Sequence, residues 1–173
     1  PYRSWCRFCV EGRCTADHHR GVPDERRSPT LCFDYLFCTK NKKMAMKKEL
    51  LANEEVVLKV LVAKEVVSKA IFAHAVDVKG ADEDGYAVAR LVDDIRYLGY
   101  SRLALKTDNE KAIIKVLKDT MRTARVELQD LDQITEEHGA RYDSSSNGVA
   151  ENAVKQLQRM LRTLKLCLEG RIG

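Results

Sequence analysis

The chain has 173 residues, of which 45% are hydrophobic and 32% are charged, and its formal net charge is +4. This composition is typical of one globular domain with a small additional segment. No apolar run reaches the length of about 18 residues that a membrane-spanning helix needs, and the first residues lack the apolar stretch of a secretory signal. The mild positive charge permits nucleic-acid binding without establishing it. Because the first residue is not Met, we expect the sequence to be part of a longer protein.

The first residues contain three of the six cysteines. Without a secretory signal, reduced thiols or a metal site are favoured over a disulfide framework. Cys6 and Cys9 have the spacing of one half of a zinc site. Either Cys14 with His18 or His19 completes a four-ligand site, or the other two ligands precede residue 1. We favour Cys6 and Cys9 as ligands and Cys14 and the two histidines as ordinary loop residues.

Residues 1–29 are rich in Arg, Gly and Pro, which predicts a segment that cannot form a core alone. The next segment, TLCFDYLFCT at 30–39, predicts a buried strand with Asp34 in its middle. A buried acid is costly unless it binds a partner or a metal, so Asp34 is a candidate functional residue. Residues 40–53 predict a polar loop or edge extension, in which the basic run KNKKMAMKK covers 40–48.

Strands and helices then alternate along the chain. A hairpin of two strands contains His74, which we expect to be a hydrogen-bonded strand residue rather than a ligand. The predicted elements are strands at 55–67 and 69–80, a helix at 82–100, a strand at 102–110 that ends at Asp108, a helix at 109–124, a strand at 125–131, a mobile loop at 132–148 and a long final helix. This order, βββαβαβα, predicts the α/β class, with a mixed five-stranded sheet flanked by helices on both sides.

The final helix has two distinct faces. Ser146 or Asn147 is placed to cap it, and an acid, Glu151, follows near its start. An apolar face predicted to pack against a core contains Ala150, Ala153, Val154, Leu157, Met160, Leu161, Leu164 and Leu168. On the other face Glu151 heads a basic stripe, which suits a metal ion and a phosphate backbone side by side. The alternative is a solvated charged face.

Three acids therefore stand out, namely Asp34, Asp108 and Glu151. Converging carboxylates repel one another unless a cation neutralises them, and their hard oxygen atoms select Mg²⁺ or Mn²⁺. Two such ions can stabilise the attacking and leaving oxygens of a phosphoryl displacement. The structural alternatives are that Asp108 caps the following helix and that Glu151 is a surface acid favoured by the helix dipole.

The order of the acids, in LCFDYLF, LKTDNE and SNGVAENAV, resembles the catalytic core of integrases from retroviruses and long-terminal-repeat retrotransposons. The stretch FAHAVDVKG, followed by a helix and LGYSRLALKTDNE, resembles the retrotransposon enzymes in particular. The resemblance implies a ribonuclease H-like fold and an integrase catalytic core at 30–173. It also implies that residues 1–29 are the tail of an amino-terminal zinc-binding module plus a linker.

The resemblance further implies an activity and its ligands. The integrase would process the 3′ ends of element DNA and join them to target DNA, with Asp34, Asp108 and Glu151 as catalytic ligands of two Mg²⁺ or Mn²⁺ ions. Cys6 and Cys9 would hold Zn²⁺ only with residues upstream of this chain. The expected partners are element and target DNA and further copies of the protein, in the nucleus after a cytoplasmic stage. The residues expected to contact DNA are Asn147, Lys155, Gln158, Arg159 and Arg162.

Two other functions remain open on the sequence. One is a ribonuclease H-type nuclease, although that family normally has a fourth acid and a different final helix. The other is a catalytically inactive module for DNA binding or assembly. The basic run at 40–48 and the stripe on the last helix would serve such a module equally well, because attraction to phosphates requires no chemistry.

Overall fold

A computed structural model describes residues 3, 5–13, 28–40, 43–46, 49–50, 55–138 and 147–172. The chain divides into two compact units. One consists of Arg26–Val154, and the other of Pro1–Glu25 together with Lys155–Gly173. The sequence-based division at residues 29 and 30 concerns a zinc-binding module that extends outside the described residues, and it stays a prediction.

The described elements follow the predicted alternation, with differences at several boundaries. In chain order they are α1 (Arg7–Arg13), β1 (Thr30–Thr39), β2 (Met44–Ala45), β3 (Val56–Glu65), β4 (Ile71–Val76), α2 (Tyr86–Leu98), β5 (Arg102–Thr107), α3 (Lys111–Glu127), β6 (Gln133–His138) and α4 (Gly148–Ile172). None of the helices in the described part of the chain is long and apolar enough to cross a bilayer.

The strands form one mixed sheet in the order β4-β3-β1-β5-β6, with β2 paired to β1 outside this path. Strands β2, β3 and β4 pair antiparallel to their neighbours, whereas β5 pairs parallel with both β1 and β6. Within the described residues the sheet thus has six strands rather than the predicted five. The additional strand is β2, a two-residue pairing within the lysine-rich segment predicted to be a loop or edge extension.

The strand predicted at 125–131 is wrong. Helix α3 continues to Glu127, because Ala124 on its inner side is fully buried and its carbonyl accepts a hydrogen bond from the N–H of Leu128 at 2.9 Å. The apolar Val126, which suggested a strand, is 80% exposed. The strand that completes the sheet is β6, within the segment predicted to be a loop. Continuous parallel pairing with β5 defines β6 more than apolar side chains do.

Helices cover both faces of the sheet in the unit formed by residues 26–154. On one face, alternate side chains of β1 pack with the apolar sides of α2 and α3; this core includes Leu31, Phe33, Tyr35, Leu91, Ile95, Ile113, Val116 and Leu117. On the other face, Cys32 and Val66 pack with Ala150 in the first turn of α4. Because strand side chains alternate, Asp34 lies on the same face as Cys32.

The unit formed by residues 1–25 and 155–173 contains α1, a helix that the sequence did not predict, and most of α4. Gly12 lies against α4 so closely that a Cβ there would be 2.9 Å from the Cα of Thr163. The apolar face predicted for α4 is only partly buried. Ala150, Ala153 and Val154 are 0% exposed. Further along the same face, Met160, Leu164 and Leu168 are 57–59% exposed.

A buried carboxylate closes the β3–β4 hairpin. Glu65 is 0% exposed and accepts hydrogen bonds from the backbone N–H groups of Thr30 at 3.3 Å, Val67 at 2.9 Å and Ser68, and from the hydroxyl of Tyr100 at 3.2 Å. Burial acts to raise the pKa of Glu65, but the hydrogen bonds from Val67 and Ser68 outweigh it, so that the pKa is lowered. Glu65 therefore stabilises the fold as a carboxylate, and this contribution is lost when the pH falls through its lowered pKa.

We expect Glu65→Gln to lower the free energy of unfolding by about 1–3 kcal/mol at neutral pH, because the amide has one acceptor oxygen where four donors converge. Urea denaturation followed by circular dichroism measures this loss. The matched control is Glu83→Gln, an exposed residue, which should change the free energy of unfolding by less than about 0.5 kcal/mol. Equal effects of the two substitutions would contradict a structural role for the Glu65 carboxylate.

Candidate active site

On the edge of β1 that faces β5, the pairing with neighbouring strands is interrupted. Strand β3 pairs along the other edge from Leu31 to Thr39, so β5 and β2 must share this one. Strand β5 pairs with residues 30–33 and β2 with residues 37–38. Residues 34–36 thus lie between two short pairings, and the backbone N–H of Tyr35 within the interval donates to Oδ1 of Asp34 at 2.7 Å.

The parallel register brings two of the predicted acids to neighbouring positions. Phe33 and Thr107 form the last β1–β5 pair, and Asp34 and Asp108 each follow a member of that pair. Paired strands are about 5 Å apart, so the two carboxylates start from adjacent backbones. Asp108 is exposed, and its Oδ1 accepts a hydrogen bond from the N–H of Asn109 at 2.7 Å.

The electrostatics of Asp34 depend on all three predicted acids. Burial raises the pKa of Asp34 to about 6, against the effect of the Tyr35 N–H that donates to its carboxylate. Repulsion from Asp108 and, more weakly, from Glu151 raises this pKa further, whereas the Lys79 ammonium lowers it. The three carboxylates are therefore close enough to interact electrostatically, and a cation among them would relieve both the repulsion and the cost of burial.

The described residues do not include a finished metal centre. Within that part of the chain, no group of three or more His, Cys, Asp or Glu side chains is gathered closely enough to hold a metal ion. The oxygen donors and the raised pKa of Asp34 fit a hard divalent cation. Glu151 lies in the first turn of α4, and residues 139–146, which precede Asn147 and this helix, are outside the described residues. Metal binding by the three acids stays a prediction.

Two residues of this region were not predicted from the sequence as site residues. Lys79 forms an ion pair with Glu110 at 2.5 Å, and its Nζ lies 5.6 Å from the centroid of the Tyr35 ring. Glu110 is the residue that precedes α3, two positions after Asp108. The surrounding sequence, VDVKG and TDNE, contributed to the resemblance, but no local pattern shows that Lys79 and Glu110 meet.

The residues predicted to contact DNA differ in exposure. Lys155 and Arg162 are exposed and Arg159 is partly exposed, as a surface contact requires. Gln158 is 7% exposed, and the DNA contact predicted for it stays a prediction. Asn147 is 6% exposed, and neither its Oδ1 nor its Nδ2 has a hydrogen-bond partner among the described residues. Asn147 thus does not cap α4 with its side chain, and Ser146 lies outside the described residues.

Of the residues considered for the zinc site, the structure describes Cys6 and Cys9. Hydrogen bonds from the backbone N–H and the side chain of Cys9 lower the pKa of Cys6, which favours the thiolate that metal binding needs. Cys14, His18 and His19 lie outside the described residues. The predicted zinc site stays a prediction.

The prediction for His74 is confirmed. Its Nε2 lies 2.8 Å from Oδ2 of Asp94, a buried residue of α2. Burial raises the pKa of Asp94, and the hydrogen bond with His74 opposes this shift. His74 and Asp94 thus join β4 to α2 on the face of the sheet opposite Asp34.

The described architecture defines a mixed α/β protein whose six-stranded sheet is flanked by helices. No protein family compared with the chain matches it, and no curated protein does. Among solved structures, it is similar to a chain of the simian T-cell lymphotropic virus intasome in complex with PP2A regulatory subunit B56 gamma, at 18% identity and a TM-score of 0.49. The match covers 85% of this chain and 45% of that chain. A likeness this distant carries no argument about function.

We expect Asp34→Asn to remove a pH dependence of stability in the metal-free protein. The pKa of about 6 in the folded state lies above the ordinary value of 3.8, so the folded state binds more protons between these values. Stability should fall as the pH rises from about 4 to about 6, by about 3 kcal/mol, and then stay level. The variant should match the parent chain near pH 4 and exceed it above pH 7.

Urea denaturation at a series of pH values, in the presence of EDTA, measures this profile. The control is Asp130→Asn, in an exposed turn after α3, which should keep the parental slope. A variant of Asp34 that retains the slope would show that Asp34 ionises normally in the folded chain.

Proposed function

We propose that the protein is a polynucleotidyl transferase of the integrase type, which depends on a divalent metal ion. One observation carries the proposal: the parallel register of β1 and β5 makes Asp34 and Asp108 neighbours, and the charge of Glu151 acts on the partly buried carboxylate of Asp34. The D…D…E order and the motifs around it support the same class of enzyme. The reaction would hydrolyse the 3′ ends of element DNA and then join them to target DNA.

In this proposal Asp34, Asp108 and Glu151 hold Mg²⁺ or Mn²⁺. The ions, when bound, would activate a nucleophile and neutralise negative charge on the transferred phosphate. The side chains of the chain supply three carboxylates and a buried environment around Asp34, in which electrostatic interactions are strong. The three acids would have to lie closer together than in the described arrangement to share an ion, because no group of three such side chains among the described residues could hold a metal.

DNA binding is proposed for the exposed basic side chains of α4. Lys155 and Arg162 are exposed on a helix that carries one acid, Glu169, after Glu151, and Lys165 lies 3.8 Å from this acid. Such side chains attract phosphates without reading sequence. We further propose that the active form contains several copies of the chain and acts in the nucleus, after a cytoplasmic stage.

We expect the parent chain to join a short duplex to target DNA in the presence of Mn²⁺, and Asp108→Asn to lower the yield by at least about 100-fold. The loss should follow because one of two adjacent carboxylates no longer carries charge. Gel analysis of labelled strand-transfer products measures the yield, with Asp130→Asn as the matched control that should retain parental activity.

The same assay distinguishes the alternatives. Cleavage of the RNA strand in an RNA–DNA hybrid without joining would support a ribonuclease H-type nuclease. Retarded DNA without any product, in the parent chain as well as in Asp108→Asn, would support an inactive DNA-binding or assembly module. The module is the second candidate because the three acids are not gathered at metal-binding distances in the described residues.

We expect Mn²⁺ to stabilise the parent chain by about 2.7 kcal/mol when its free concentration is 100 times the dissociation constant. Asp34→Asn and Asp108→Asn should each lose most of this gain, because each removes a proposed ligand. Urea denaturation with and without Mn²⁺ measures the difference. An equal gain in the double variant Asp34→Asn/Asp108→Asn would mean that the metal binds elsewhere.

A further inference from the structure

The loop that follows β4 contacts the start of α3 at two points and strand β1 at a third. Lys79 forms its ion pair with Glu110 at 2.5 Å, and side-chain exposure at this pair is only 19% and 31%. The N–H of Gly80 donates to the hydroxyl of Tyr35 at 3.1 Å. Gly80 also lies against Ala112 in the first turn of α3, where an added Cβ would be 3.4 Å from the Ala112 Cβ.

Sequence and conformation both suit this close approach. Gly80 has φ of +103°, a conformation that other residues rarely adopt, and it is buried. The ammonium nitrogen of Lys79 lies over the rings of Tyr35 and Phe37, at 5.6 Å and 5.4 Å from their centroids. A partly buried ammonium over two aromatic rings, paired with one carboxylate, has a well-defined position. We call Tyr35, Lys79, Gly80 and Glu110 the brace.

The brace connects the two backbone segments that carry the aspartates. Tyr35 is the neighbour of Asp34, and Glu110 follows Asp108 after one residue. The carbonyl of Glu110 also accepts hydrogen bonds from Ile113 at 3.1 Å and Ile114 at 3.0 Å, so that Glu110 fixes the start of α3. Asp108 lies on the short connection between the end of β5 and the start of this helix, and it belongs to neither element.

We propose that Lys79 and Glu110 are positioning residues, which hold Asp108 beside Asp34 so that the two carboxylates share a divalent cation. This inference rests on the proposed function, because it assigns a purpose to the metal site. Lys79 and Glu110 do not ligate the ion. They restrain the connection that contains Asp108. Glu110 anchors this connection to the Lys79 ammonium, which packs on the aromatic rings of β1.

A variant that changes only one member of the ion pair would also change the net charge near the metal. We therefore use the neutral double variant Lys79→Met/Glu110→Gln, which removes one positive and one negative charge together. Its matched control is Arg96→Met/Glu127→Gln, which removes the ion pair between α2 and α3 at 3.2 Å.

Electron paramagnetic resonance of free Mn²⁺ measures the dissociation constant of each folded variant, as judged by circular dichroism. We expect the neutral double variant to bind Mn²⁺ about 10-fold more weakly than the parent chain, a typical effect of losing support around ligands. The Arg96/Glu127 control should stay within about twofold.

A second readout needs no metal. Hydrogen exchange of the Gly80 amide and of the amides of 111–114 should be about 10-fold faster in the neutral double variant, because the brace no longer restrains them. Tyr35→Phe, which removes the acceptor for Gly80, should accelerate the Gly80 amide alone. This smaller substitution keeps the test valid if the double variant fails to fold.

The outcomes separate the two proposals. Parental Mn²⁺ affinity in the neutral double variant, or an equal loss in the Arg96/Glu127 control, would overturn the positioning role while leaving the metal site in place. Unchanged hydrogen exchange in both brace variants would overturn it as well. Absence of Mn²⁺ binding in the parent chain would overturn the proposed function and, with it, the positioning role.

Discussion

Parallel pairing between β1 and β5 is the constraint on which the rest of the site depends. Antiparallel β3 fixes one edge of β1 along nearly its whole length, whereas β5 pairs with only four residues of the other edge. Strand β5 therefore ends beside the middle of β1, directly before Asp108 and next to Asp34. In a parallel α/β arrangement, loops at the carboxyl ends of strands are where binding groups collect. Here that position also contains a partly buried acid, Asp34, whose pKa is raised to about 6.

An acid in the centre of a buried strand opposes folding unless something compensates it. In the described chain the compensation is partial, because the Tyr35 N–H and the Lys79 ammonium lower the pKa of Asp34 while burial and two neighbouring carboxylates raise it. A strand with an apolar residue in place of Asp34 would pack without this cost. The loss of stability is thus concentrated where a cation would reverse it, a pattern expected of binding sites rather than of cores.

The sequence predicted what local patterns determine. Apolar β-branched strands, helical periodicity and the acid inside TLCFDYLFCT were sufficient for β1, the β3–β4 hairpin, α2 and α3. It failed for β6, whose residues are mostly polar and whose strand depends on pairing with β5 across the chain. The ion pair of Lys79 and Glu110 joins residues 31 positions apart, and no spacing rule reveals such a contact. The sequence also did not predict that the later apolar residues of α4 are exposed. A periodic apolar face does not show how far along the helix the surface that it packs against extends.

Among the described strands, the sheet ends on one side at β6, and this edge has a consequence for how the protein behaves at high concentration. An unpaired strand edge is a template on which other chains can add, and proteins commonly protect such edges with charge. Strand β6 has the sequence QITEEH, with two adjacent glutamates and a single fully buried apolar residue, Ile134. Two chains approaching edge to edge would bring these acids together, so mutual repulsion disfavours sheet extension and the aggregation that follows from it.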